Sequence, residues 1–148
     1  MARRRAAVWL AATLLAPAAG SAQSSAPPAL DCEIGFEVLQ ETAHSLPGAS
    51  VSEQDGFTVV SVGQPDVWRA QIYFTTRWHP AYPAAAQRTF RKQVTGVWTA
   101  ESKTCGYGDQ GQFTALVTDM KAGDKELTDT SRAEVERQKS SRSPLAPH

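Results

Sequence analysis

The chain reads as one small α+β domain: an antiparallel sheet of about four strands, two main helices on one face of it, and a Cys32–Cys105 disulfide. Three observations carry that expectation. The run VWRAQIYFTT alternates apolar and polar side chains with period two, the pattern of a half-buried strand. Two separate stretches repeat apolar residues at spacings of three and four, as the face of a helix does. The chain has two cysteines, far apart, behind an opening segment that looks like an export signal.

That opening, MARRRAAVWLAATLLAPAAGSAQS, has arginines at 3 to 5, an apolar run from Ala6 to about Pro17, and small residues through Ala22. This is the build of a secretory signal peptide. The run is too short to span roughly 30 Å of hydrocarbon as a mature helix, and no later stretch is longer. Residues 1–22 are therefore expected to be removed, leaving Gln23 first, with cleavage at Ser21 as the neighbouring alternative. No Phe-Leu-Lys-like sequence follows the arginines, which favours the general export route over the twin-arginine one. Cys32 follows Asp31 well beyond the apolar run, so it is not expected to carry a lipid. Residues 23–30 read as a flexible linker, 31–137 as the domain, and 138–148 as a disordered tail, polar and proline-containing.

Within the domain, Phe36, Leu39, Ala43 and Leu46 mark a helix that Pro47-Gly48 ends. Alternation of Cys32, Ile34, Phe36 and Val38 is the competing strand signal. GFTVVSV and VWRAQIYFTT, joined by Gly63-Gln64-Pro65-Asp66, predict an antiparallel hairpin. In the second run Trp68, Ala70, Ile72 and Phe74 share one face. Residues 88–103 admit a helix or two strands. Their β-branched residues and Gly96 favour strands, near 88–93 and 97–103. Phe113, Leu116, Val117 and Met120 then trace a second helix from an Asp109 cap to Gly123. A charged, weakly patterned stretch at 124–137 reads as a frayed helix. In this arrangement Cys32 and Cys105 stand at the starts of the two helices, and their bridge clamps both to one side of the sheet. A loop of some seventy residues closed this way contributes roughly 4 kcal/mol.

Charge narrows the function. The full chain has fifteen basic and fifteen acidic side chains. Removing Arg3, Arg4 and Arg5 with the leader leaves twelve against fifteen, a net charge of −3. The charges are interspersed, with no basic stripe for nucleic acid or anionic lipid. The histidines, His44, His79 and His148, show no metal-ligand spacing, so neither a metal nor a cofactor is expected. No G-x-S-x-G elbow occurs. CGYGDQG (105–111) resembles an anion-binding nest before a helix, but lacks the P-loop lysine, and Asp109 would repel a phosphate.

RWHPAYP (77–83) remains. Its prolines stiffen the backbone and push His79 and Tyr82 toward extended geometry. Arg77, Trp78, His79 and Tyr82 thus form the candidate binding surface, of residue types favoured at interfaces. The competing reading makes Trp78 and Tyr82 caps on the end of the core. The sequence therefore predicts a small exported protein of the bacterial envelope, periplasmic or secreted, that binds without catalysis or serves as an accessory factor. Its expected partner is an envelope protein or cell-wall component. A hydrolase-like enzyme using His79 is the alternative.

Overall fold

A computed structural model describes residues 25–142; the expected leader and the end of the expected tail, 143–148, lie outside it. The elements are α1 (Phe36–His44), β1 (Ser50–Gln54), β2 (Phe57–Gln64), β3 (Trp68–Thr75), β4 (Ala84–Lys92), β5 (Trp98–Gly106) and α2 (Gln110–Arg142). The strands form one antiparallel sheet in chain order, each paired with its sequence neighbour. The α+β class and the disulfide are those the sequence predicts, with five strands where about four were expected.

The added strand is β1. All five of its residues are exposed, so it carries no alternating apolar pattern. The turn makes the hairpin instead. Asp55 and Gly56 have φ of 40° and 83°, and Gln54 pairs with Phe57 across them. A two-residue Asp-Gly loop with both φ positive has the twist that antiparallel strands need. The predicted hairpin follows as β2 and β3, with Trp68, Ala70, Ile72 and Phe74 all buried. The ambiguous stretch forms strands. β4 begins at Ala84, earlier than expected, because alanines give a weak strand signal.

Those alanines decide the layering. Phe74 and Ala85 are paired, and they pack with Val60 and Ile72 beneath Phe36, Leu39 and Ala43 of α1. Tyr73 and Ala86 are also paired, and they pack with Phe113, Leu116 and Met120 of α2. Successive residues of a strand point to opposite faces. The helices therefore cover opposite faces, which corrects the expectation of both on one. Ala84, Ala85 and Ala86 are each fully buried, the mark of a strand covered on both sides. Their small side chains let a helix approach from either side.

The segment before α1 is also packed. Leu30 is 2% exposed within the α1-side cluster, and Gln87 Nε2 donates to the Pro28 carbonyl at 2.6 Å. Cys32, in the turn before α1, is bonded to Cys105 in β5, with Cα atoms 5.2 Å apart. The bridge thus ties the approach to α1 onto the sheet. It does not clamp α2, because Cys105 sits within a strand and not at the start of that helix. Such a bond in a small domain is compatible with an exported protein. No helix among the described residues is long and apolar enough to cross a membrane.

The helix α2 is continuous to Arg142; it neither stops at Gly123 nor becomes coil at 138. Asp109 starts it as expected, its Oδ1 accepting the Gln112 N–H at 2.8 Å. Beyond Met120 the docking seam turns polar. Asp124 accepts from Arg88 Nε and from Ser102 Oγ, each at 2.7 Å. The hydroxyls of Thr128 and Ser131 accept the backbone N–H groups of Ala100 and Trp98 at 2.9 and 2.8 Å. Those donors belong to β5, the last strand, so α2 closes an edge that would otherwise offer unpaired groups. Gly123 stands where Arg88 crosses; a β-carbon there would lie 2.6 Å from the guanidinium Nη2.

Candidate functional site: the loop between β3 and β4

The stretch that carries RWHPAYP is fastened at its base. The Thr75 hydroxyl donates to the Ala84 carbonyl at 3.0 Å and accepts the Ala84 N–H at 2.8 Å. Thr76 donates both its N–H (2.8 Å) and its hydroxyl (3.0 Å) to the Gly56 carbonyl. Inside the loop, the His79 N–H reaches the Thr76 carbonyl and the Tyr82 N–H reaches the His79 carbonyl, both at 3.0 Å. Ala81, 1% exposed, anchors the middle in the α2-side core. The Tyr107 N–H to the Pro83 carbonyl, 3.0 Å, holds the far end. Prolines and hydrogen bonds together leave this loop little freedom to lose on binding.

The four predicted residues share that loop but separate into three environments. Trp78 is 91% exposed, and Arg77 beside it is exposed as well. Tyr82 turns to the α1 side, where its ring meets Phe36 edge-on at 5.6 Å between centroids. His79 turns to the other side, over Phe57, with ring centroids 4.5 Å apart. Its Nδ1 accepts the Ala81 N–H at 3.0 Å, leaving Nε2 free. Burial lowers the His79 pKa from the usual imidazole value, against a smaller upward pull from Asp119. A ring packed on Phe57 with its Nδ1 already taken by a backbone N–H is a structural histidine first. Tyr82, still 37% exposed, rests its ring against Phe36 at the end of the core, part of what the competing reading expects, and Trp78 does not.

Elsewhere, Asp109 fills the helix start within CGYGDQG with its own carboxylate. The Tyr107 hydroxyl donates to the Ile34 carbonyl at 2.9 Å, and burial, then the Asp31 charge, raises its pKa. The described residues contain no group of three or more His, Cys, Asp or Glu placed to hold a metal ion. A second feature escapes sequence reading. Arg69 lies over the rings of Phe90 and Trp98, 4.3 and 5.4 Å from their centroids. Only the pairing of β3 with β4 and β4 with β5 brings these distant residues together.

No known protein family, curated protein or solved structure matches this chain.

Proposed function

We propose that this is a small exported protein of the bacterial envelope, periplasmic in the first instance. In this reading it binds an envelope protein or cell-wall component without catalysis, with Trp78 as the contact and Arg77 beside it. The observation that carries the reading is the exposure of Trp78, 91%, on a loop fastened at both ends. A large aromatic held in water contributes nothing to this fold. Covering it on a partner removes apolar surface at roughly 25 cal/mol per Å², and its rigid mounting keeps the entropic cost low. His79 and Tyr82 support the loop from its two sides. The hydrolase-like alternative draws less support, because the His79 Nδ1 lone pair already accepts the Ala81 N–H, which leaves the ring proton on Nε2 and no free lone pair for a base.

The test is the pair Trp78→Ala and Tyr82→Ala. Trp78→Ala is expected to shift stability by no more than about 0.5 kcal/mol while abolishing capture of the native envelope partner or purified cell wall. Tyr82→Ala is expected to lower the melting temperature, because it removes the ring against Phe36. If Trp78→Ala leaves capture unchanged, or unfolds the domain, the proposal fails.

A further inference from the structure

A second surface lies at the other end of β3, about 20 Å from the loop at strand spacing. Arg69 and Gln71 stand opposite Gly63 and Ser61 of β2, on the face that carries α2. The helix covers the β4–β5 side of that face, and here a hollow of about 400 Å³ opens beside Trp98. Trp98, whose side chain shares this face, supplies apolar wall. Gly63 contributes no side chain; a β-carbon there would press within 3.0 Å of the Arg69 β-carbon.

Three polar side chains on this face of the hollow, Arg69, Gln71 and Ser61, can act as donors. The Arg69 guanidinium lies over Phe90 and Trp98, and no carboxylate among the described residues forms an ion pair with it. A guanidinium held over aromatic rings keeps N–H groups that can meet a planar acceptor in two-point fashion. The Gln71 Oε1 accepts the Tyr73 hydroxyl at 2.8 Å, which leaves the Gln71 amide N–H groups as donors. Ser61 adds a hydroxyl. The acidic side chain lining the hollow, Asp66, is already paired with Lys92 at 3.2 Å. One cation held over aromatic rings, neutral donors and an aromatic wall match a monovalent planar anion on an apolar body. A phosphate dianion would call for a second cation or a backbone nest.

We propose that this hollow binds the carboxylate of an apolar organic acid or of a peptide end, with Arg69 as the anchoring residue. The experiment titrates the folded protein with benzoate and, separately, with N-acetyl-alanyl-phenylalanine, following the Arg69 Nε–H and Trp98 indole N–H by NMR. Benzamide and the peptide amide serve as neutral counterparts. Saturable shifts with an acid, and weaker or none with its amide, are expected; the tighter acid identifies the source. Arg69→Gln is expected to weaken binding about tenfold or more, the loss of one charge-assisted contact. Trp78→Ala leaves it intact, so this site and the loop stand or fall separately. Absence of saturable shifts with both acids overturns the proposal, as does equal binding of the amides or undiminished binding by Arg69→Gln. Should Arg69→Gln fail to fold, the acid-against-amide comparison on the unaltered protein decides alone.

Discussion

His79 is gripped on two sides, by the Phe57 ring and by the Ala81 N–H at its Nδ1. Both favour the neutral ring: the first strips water from a charged imidazole, and the second needs an unprotonated nitrogen. Burial accordingly lowers its pKa in the folded protein, while the unfolded chain takes its proton near 6.5. The sign follows from linkage: the state that binds protons more readily gains as pH falls. The stability contributed by His79 is thus full above the unfolded value and is lost as pH drops through the lower folded one. Urea midpoints measured from roughly pH 7.5 to 5 should fall more steeply for the natural protein than for His79→Gln. Equal slopes would show that the ring is not held neutral. At this same scale the site was partly legible. The loop, its stiffness and its four residues were visible as aromatic and proline spacing. The division of their side chains was not, because it depends on Phe36 and Phe57, which only the folded sheet brings to the loop.

Among the elements, α2 shows best where sequence reading ends. Its first turns carry Phe113, Leu116 and Met120, and periodicity found them. Its later turns dock through Asp124, Thr128 and Ser131, whose polar side chains resemble a solvated face. The hydrophobic pattern therefore ends at Gly123 although the helix does not. Gly123 looks like a stop because its true reason, room for Arg88, is tertiary. β1 was missed for a related cause, since an exposed strand has no buried face to betray it. Its turn did leave a signal in Asp55-Gly56, which outweighs composition at that point. The central hairpin was the most legible element, because alternation reports burial directly. If the polar seam truly fastens α2 to β5, Thr128→Val combined with Ser131→Ala should cost about 2 kcal/mol, roughly 1 per orphaned N–H. The freed strand edge should also promote self-association, readable by sedimentation. Thr118→Val is the control: the Thr118 hydroxyl bonds within its own helix, to the Thr114 carbonyl, and its loss should change little. A double variant as stable and as monomeric as the control would mean that the second half of α2 merely lies nearby.

Across the whole molecule the layers are held in unequal ways. The long α2 has a capping aspartate, the Arg88–Asp124 ion pair with both side chains largely buried, and the hydroxyl seam. The nine-residue α1 has no side-chain cap, and helices below about 12 residues are marginal on their own. It depends on burying Phe36, Leu39 and Ala43, and on the covalent tie from Cys32 to β5. The bridge spans 73 residues of sequence, and restricting the unfolded chain over that length contributes about 4 kcal/mol in the chain-entropy account. That is a large share of the roughly 5–15 kcal/mol by which domains are stable. Replacing both cysteines by serine, or reducing the bridge, should lower the unfolding free energy measured by urea denaturation by that order. The loss should also be uneven. Amide hydrogen exchange should rise first in Leu39 to Ala43, where the α1 layer loses its anchor, and last in Leu116 to Met120, whose docking does not involve the disulfide. If both helices opened together, or α2 before α1, the sheet would not be insulating one layer from the other. The helices would then be coupled through the thin alanine floor of β4, which touches both.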